Sequence, residues 1–174
     1  KAFVDELPES DYFVLVNYHT TARFIFPQVK VRDEIVKPVL ATAENKRLAK
    51  QAIDALDSEE NTYPSTGISL AYNSFLLSPC DEATVIFLTD GQFHDNDANP
   101  LEKMLVKIEA KRKEGRSFKI FPRGIGTDFT VGQLRQVADR TLGTPPRVVA
   151  NPSDLKADFV DWMEKAKEAT LSNM

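Results

Sequence analysis

Two side chains in this sequence carry oxygen atoms that could bind one hard divalent cation. Asp90 directly follows the apolar run Thr84-Val-Ile-Phe-Leu-Thr89, and Thr66 lies in Pro64-Ser-Thr-Gly67, at the start of a helical stripe of apolar residues. A carboxylate and a neutral hydroxyl belong to the oxygen-only ligand set that Mg²⁺, Ca²⁺ or Mn²⁺ prefers. The sequence therefore predicts a metal site that includes Thr66 and Asp90.

Both residues also have a simpler interpretation. An Asp-Gly pair after a strand, here Asp90-Gly91, is a common turn. A threonine at the start of a helix, here Thr66, can act only as a cap for the helix. Capping and metal binding are compatible at Thr66, so the sequence leaves both interpretations open.

The loop beyond Asp90 contains a second group of metal-ligating residue types. His94, Asp95 and Asp97 could hold a cation, but a polar, Asn-rich loop is more often solvated. We therefore interpret this segment as a surface loop, and we interpret His19 in the same way.

The sequence offers few signs of catalysis. No alcohol or thiol nucleophile stands beside an identifiable His and acid pair. Cys80 is the only cysteine; it cannot form an intramolecular disulfide, and we predict that it is inert. Gly124-Ile-Gly126 lacks the third glycine of a dinucleotide-binding fingerprint. We therefore expect a protein that is not an enzyme, with a Mg²⁺-dependent Rossmann-like hydrolase that uses Asp90 as the alternative.

Length and composition limit the classes of protein that the chain can represent. With 174 residues, 42% of them hydrophobic, the chain is predicted to form a single domain spanning 1–174. The net charge of −4 argues against nucleic-acid binding, because nucleic-acid binders concentrate Lys and Arg. No apolar run approaches the roughly 18 residues of a membrane-spanning helix.

The elements that must position these residues alternate along the chain. The sequence predicts strands at Tyr12–Tyr18, Ala22–Phe26, Thr84–Thr89, Phe118–Phe121 and Arg147–Val149. The second of these ends at Pro27, which suits an edge position, and could form a hairpin with the first. Apolar residues at helical spacing predict helices that include the following sets: Leu48, Ala49, Ala52, Ile53 and Leu56; Leu70, Ala71 and Phe75; Met104, Leu105 and Ile108; Val131, Leu134, Val137 and Ala138; Leu155, Phe159, Trp162, Met163 and Ala166. This alternation indicates an α/β fold with a mostly parallel sheet, in which ligands bind beyond the carboxyl ends of the strands.

The order of these segments resembles the von Willebrand factor A domain family. Val85-Ile-Phe-Leu-Thr-Asp-Gly91 is similar to its "LLTDG" strand and loop, and Pro64-Ser-Thr-Gly-Ile-Ser-Leu-Ala71 to its "GGT-x-hydrophobic" helix start. Tyr12-Phe-Val-Leu-Val-Asn-Tyr18 resembles "VGLVTF", Phe121-Pro-Arg-Gly-Ile-Gly126 resembles "v-x-x-IGIG", and the segment from Leu134 to Gly143 resembles "L-x-x-iA-x-x-tGG". The chain looks most like bacterial stand-alone members.

The resemblance implies a fold and a function. The fold is a Rossmann-like three-layer sandwich, with one antiparallel edge strand and helices on both faces of the sheet. The function is protein binding through a metal-ion-dependent adhesion site (MIDAS), in which a D-x-S-x-S motif, a Thr and an Asp hold Mg²⁺ or a similar ion. The matching positions here are Thr66 and Asp90. A carboxylate from the partner protein fills the open coordination position of the metal.

The sequence departs from the family pattern at its start. It contains no D-x-S-x-S motif, and Lys1-Ala-Phe-Val-Asp-Glu-Leu7 resembles the end of the family's first helix. We therefore expect the first strand and the start of the first helix to be missing from 1–174, which would leave open sheet edges. Three explanations are open: an upstream segment supplies the strand, another chain pairs with the edge, as in a strand-swapped homo-oligomer, or the metal site is lost and the domain is a scaffold.

Overall fold

The computed structural model of the chain describes residues 1–29, 34–56, 63–89, 93–125 and 131–149, together with the separate positions 154, 157, 160 and 161. Its helices are α1 (Ala2–Glu6), α2 (Ala43–Asp54), α3 (Pro64–Leu76), α4 (Ala98–Lys113) and α5 (Val131–Thr141), with a 3-10 turn at Asp95–Asp97. Its strands are β1 (Tyr12–Phe13), β2 (Leu15–Tyr18), β3 (Ala22–Phe26), β4 (Val39–Leu40), β5 (Glu82–Thr89), β6 (Ser117–Ile125) and β7 (Arg147–Val149).

The first predicted strand is divided in the structure. β2 and β3 form the predicted antiparallel hairpin, in which Val16 lies opposite Phe24 and Tyr18 opposite Ala22. The prediction of one strand over Tyr12–Tyr18 is wrong, because β1 pairs instead with β4 and the hairpin register shifts between Leu15 and Val16. An unbroken apolar run cannot reveal that its two halves have different partners.

The parallel sheet consists of β5, β6 and β7 in that order. β5 and β6 pair from Glu82 opposite Ser117 to Thr89 opposite Gly124. β6 extends beyond the predicted Phe118–Phe121 and continues through Pro122. β7 pairs with β6 only from Arg123 onward, so β6 has one strand neighbour at the proline, which has no N–H to donate. The α/β class is confirmed, while the strands of the described residues form three separate sheets rather than one central sheet.

The main core lies where α3, α4 and α5 pack against the parallel sheet. It contains nine apolar residues of the predicted helices and strands, together with four others: Phe75, Phe87, Met104, Leu105, Ile108, Phe118, Ile120, Leu134 and Val137; and Ile68, Tyr72, Phe93 and Leu101. α4 ends with Glu114 at its C-cap and Gly115 at a φ of 90°, in the left-handed region that glycine adopts without strain.

A second core lies beneath α1 and α2. It contains Val4, Phe13, Leu15, Phe26, Ala41 and Ala49. Leu48 was expected on the buried face of α2 but is 38% exposed. The buried face instead centres on Ala49 and the partly buried Ile53, which are one helical turn apart, and this phase places Leu48 at its border.

The last predicted helix is described at only four positions. Asp154, Ala157, Val160 and Asp161 are helical, and Asp161 forms an ion pair with Arg147 at 3.5 Å. Its five predicted core positions (Leu155, Phe159, Trp162, Met163 and Ala166) lie outside the described residues. Within the described ranges, no helix combines the length and apolar character needed to cross a membrane.

Candidate functional site

The carboxyl ends of β2 and β5 meet at the side chain of Tyr18. The ring of Tyr18 stacks on Phe87 with 5.1 Å between the ring centroids, and its hydroxyl donates a hydrogen bond of 2.8 Å to the carbonyl oxygen of Leu88. Phe87 and Leu88 belong to the end of β5, two and one residues before Thr89. Tyr18 therefore joins the carboxyl ends of β2 and β5.

The start of α3 approaches the same ring through Gly67. A Cβ atom at position 67 would lie 2.8 Å from Cγ of Tyr18, closer than real Cβ contacts allow, so glycine permits this approach. Thr66 is the residue before Gly67. The end of β2, the start of α3 and the end of β5 are thus brought together.

Thr66 lies inside the first turn of α3 and does not cap it. The N-cap residue is Tyr63, and its side chain makes no capping hydrogen bond. Pro64 follows as the first residue of the helix. The hydroxyl of Thr66 donates to the carbonyl oxygen of Tyr63 at 2.8 Å. The capping interpretation of Thr66 is therefore wrong. The hydroxyl proton is donated to Tyr63, and the lone pairs of the hydroxyl oxygen can still coordinate a cation.

Asp97 anchors the first turn of α3 from the neighbouring helix. Its side chain is 1% exposed, and Oδ2 accepts a hydrogen bond of 2.9 Å from the backbone N–H of Ser65. Oδ1 accepts a second, short hydrogen bond from the hydroxyl of Ser65. Asp97 occupies the N-cap position of α4, yet its side chain does not cap α4. One carboxylate therefore ties the beginnings of α3 and α4 together.

This anchor changes the interpretation of the loop that contains His94, Asp95 and Asp97. Asp97 is buried rather than solvated, and both of its oxygens bind Ser65. The side chain of Asp95 lies outside the described residues. Among the residues that are described, no three His, Cys, Asp or Glu side chains are grouped so that they could hold a metal ion.

Two further contacts hold Tyr63 in place. Its ring stacks on the ring of His94 at 4.8 Å between centroids, and its backbone N–H donates to the carbonyl oxygen of His19 at 3.1 Å. His94 itself accepts a hydrogen bond of 3.3 Å at Nδ1 from the backbone N–H of Asn96. His19 thus joins the site through its backbone, and Tyr63 connects the loop after β2 to the loop after β5.

Asp90, the second predicted ligand, lies outside the described residues. The preceding residue, Thr89, is buried at the end of β5 and pairs with Gly124 of β6. Gly124 lies near the carboxyl end of β6, and Gly126 also lies outside the described residues. Cys80 precedes β5 at the other end of that strand, where its carbonyl oxygen accepts a hydrogen bond from Arg116 at 2.7 Å.

Sequence reasoning missed the residues that assemble the site. Tyr18 is identified from the sequence only as a strand residue, and Asp97 only as part of a polar loop. A signal for Asp97 was present, because an Asp immediately before a helix is an ordinary N-cap residue. Its actual partner, Ser65, is 32 positions away and could not be identified from local sequence.

No protein-family model matches this sequence, and a search of curated proteins finds no match. Solved structures do match. A von Willebrand factor type A protein from Catenulispora acidiphila has a TM-score of 0.80 and 24% identity, over 92% of this chain and 35% of that chain. The conserved hypothetical protein BatB from Bacteroides thetaiotaomicron has a TM-score of 0.65 and 19% identity, over 95% of this chain and 83% of that chain.

A third similar structure is proximal thread matrix protein 1 from the mussel byssus, solved with a zinc-occupied MIDAS motif. Its TM-score is 0.62 and its identity 22%, over 92% of this chain and 38% of that chain. The chain spans little more than a third of the length of this protein and of the Catenulispora protein. At these identities the likeness concerns the fold, and the chain has a von Willebrand factor A-like fold.

Proposed function

We propose that this chain is a metal-assisted protein-binding module in which Thr66 and Asp90 supply oxygen ligands to Mg²⁺ or Mn²⁺. The observation that carries the proposal is the contact of Tyr18 with both the end of β5 and Gly67. This contact brings the first turn of α3, with Thr66, to the strand end that Asp90 follows in sequence. The von Willebrand factor A-like fold and the zinc-occupied MIDAS motif of the mussel protein support it.

The two residues fit a hard divalent cation by their chemistry. Thr66 supplies a neutral oxygen whose proton is already donated to Tyr63, and Asp90 supplies an anionic oxygen. The bound cation would offer an open coordination position to a carboxylate of the partner protein. The protein's own residues keep the Thr66 hydroxyl oriented, since Tyr63 is held by its contacts with His19 and His94.

A binding function accounts for this site better than catalysis does. Both oxygens of the buried Asp97 carboxylate accept hydrogen bonds from Ser65, the residue before Thr66. An acid or base must reach the proton that it transfers, and Asp97 is 1% exposed. We therefore propose that the chain is not an enzyme.

The proposal is tested by calorimetric titration of Mn²⁺ and Mg²⁺ into the purified chain. We expect saturable binding that is lost in Thr66→Ala and in Asp90→Ala. Thr66→Ser keeps the hydroxyl and should retain binding. Asp139→Ala removes an exposed carboxylate from α5 and serves as the matched control. Absence of binding to the unaltered chain, or unchanged binding in Asp90→Ala, would contradict the proposal.

The partner is tested with acidic peptides on a surface. We expect a set of Asp- and Glu-containing peptides to retain the chain in Mn²⁺ and to release it in chelator. Peptides with Asn and Gln at the same positions are the matched control, because an amide carries no charge to offer the metal. Equal retention by both sets in chelator would instead favour the scaffold function, in which no metal takes part.

We also propose that the open sheet edges pair with another strand, either from an upstream segment or from a second chain. Within the described residues, β5 pairs only with β6, and β2 pairs only with β3. Unpaired edges of this kind are templates for strand addition. Light scattering of the 174-residue chain over a range of concentrations should detect a dimer, whereas a monomer at every concentration would rule out pairing with a second copy.

A further inference from the structure

We propose that Asp97 is a positioning residue for the metal site, which holds the Thr66 ligand in place through Ser65. This inference rests on the proposed function of Thr66. Asp97 does not touch the cation in this proposal. It acts through the first turn of α3, which it fixes relative to the loop between β5 and α4.

The hydrogen bonds of Asp97 define the position of Ser65 in two directions. Oδ2 accepts from the backbone N–H of Ser65 at 2.9 Å, and Oδ1 accepts from its hydroxyl. Both residues are buried, with Asp97 1% and Ser65 5% exposed. A carboxylate that binds the backbone and the side chain of one residue leaves that residue little freedom to shift or rotate. The next peptide unit belongs to Thr66.

A second contact joins the same two segments on the other side of Ser65. The rings of Tyr63 and His94 stack at 4.8 Å, so residues 63 and 65 of one segment contact residues 94 and 97 of the other. Tyr63 also supplies the carbonyl oxygen that accepts the Thr66 hydroxyl proton. A shift of this turn would therefore move both the Thr66 hydroxyl and the group that orients it.

Asp97 is also close in sequence to the second proposed ligand, Asp90. Asp97 lies seven residues after Asp90. By binding Ser65, Asp97 ties the segment 93–97 to the turn that carries the first ligand. Residues that hold metal ligands in place commonly affect metal affinity about 10- to 100-fold when substituted.

The test compares Asp97→Ala and Asp97→Asn with Ser74→Ala in the full chain. Asn keeps one oxygen acceptor for Ser65 and should preserve more of the geometry than Ala. Ser74 is a matched control, because it is buried in the same helix and its hydroxyl donates a hydrogen bond of 2.6 Å to the carbonyl oxygen of Val36. Ser74→Ala therefore removes a comparable buried hydrogen bond at a position away from Thr66.

The first measurement is the NMR spectrum without metal. We expect the amide and methyl signals of Thr66 to shift in Asp97→Asn and to stay unchanged in Ser74→Ala. The second measurement is Mn²⁺ affinity, which should fall about 10- to 100-fold in Asp97→Ala, less in Asp97→Asn, and not in Ser74→Ala.

The outcomes separate this inference from the proposed function. If the unaltered chain binds no Mn²⁺, the proposed function fails and the Thr66 signals alone decide whether Asp97 positions this turn. Unchanged Thr66 signals in Asp97→Asn overturn the inference, as does an equal loss of Mn²⁺ affinity in Ser74→Ala, which would indicate general destabilisation.

Discussion

The two ends of α3 are held by charged side chains of opposite sign. At the amino end, the carboxylate of Asp97 accepts hydrogen bonds from Ser65. At the carboxyl end, the guanidinium of Arg116 donates to the carbonyl oxygens of Phe75, Leu76, Ser78 and Cys80. Each sign complements the helix dipole and the unpaired backbone groups at that end.

The two anchors differ in how they are built. Asp97 is buried, and its one side-chain partner among the described residues is Ser65, which adjoins Thr66. The side chain of Arg116 is 22% exposed, lies 4.5 Å over the ring of Phe75 and spreads its bonds over a helix end and the following turn. Asp97 therefore fixes the position of Ser65 alone, whereas Arg116 holds the end of α3 and the turn that follows it. We infer that both stabilise the fold but that only the amino-terminal anchor affects the candidate site.

The largest expected effect is at the amino end. Asp97→Ala leaves the buried N–H and hydroxyl of Ser65 without their acceptor, and each such loss costs about 1–3 kcal/mol. We expect the free energy of unfolding to fall by about 3 kcal/mol, measured by urea denaturation. Asp97→Asn should lose less. A loss below that of Arg116→Ala would contradict the ranking of the two anchors.

The next effect is at the carboxyl end. Arg116→Ala removes hydrogen bonds from a charged donor and its packing on Phe75, but solvent can reach the carbonyl groups that remain. We expect a loss of about 2 kcal/mol in the free energy of unfolding, with Arg116→Lys intermediate because an ammonium group cannot match the planar fork. Mn²⁺ affinity should stay unchanged. A weaker affinity would show that this end also influences the site.

A smaller effect is expected where α3 meets Tyr18. Gly67→Ala places a Cβ against the Tyr18 ring, and overpacking of this kind costs about 1–2 kcal/mol. Gly132→Ala in α5 is the matched control, since nothing lies within 4 Å of its added Cβ, and it should be neutral or stabilising. Thermal unfolding of both variants measures the difference. Equal behaviour would mean that Tyr18 gives way easily.

The smallest effect concerns Arg140, a half-buried cation that binds carboxylates rather than carbonyl groups. Its guanidinium donates two hydrogen bonds of 2.8 Å to the carboxylate of Glu109. These bonds lower the pKa of Glu109 below its usual value. Because the pKa is depressed in the folded protein, this contribution is present above the unfolded pKa and is lost as pH falls through the folded pKa.

The pH dependence separates this half-buried pair from the anchors of α3. Below about pH 4.5, we expect the melting temperature of the unaltered chain to fall slightly more steeply than that of Arg140→Gln, which has no such contribution to lose. Arg135→Gln, an exposed cation on the same helix, is the control. Identical slopes in all three proteins would show that solvent screens the Glu109 pair completely.

The sequence predicts the elements of this fold better than their partners. The hairpin at Ala22–Phe26 and the end of α4 at Gly115 follow from local chemistry, namely a proline edge and a glycine cap. The division of Tyr12–Tyr18 does not, because burial patterning says nothing about which strand lies beside which half. Leu48 was misplaced because one apolar stripe is compatible with more than one helical phase.

The candidate site shows the same division. Thr66 is placed at the start of α3 by a motif that is readable in the sequence. Tyr18 and Asp97 act across separations of 70 and 32 residues, which no local pattern records. The residues that hold a site together are therefore harder to recognise from sequence than those that would bind its ligand.

The close approach of Gly67 to Tyr18 has a consequence for evolution. The space between them holds either the aromatic ring or an additional side chain, but not both. Substitutions at the two positions should therefore be correlated: sequences with a larger residue at position 67 should carry a smaller one at position 18. Such paired exchange would identify distant relatives that keep this junction even after the surrounding motif has changed.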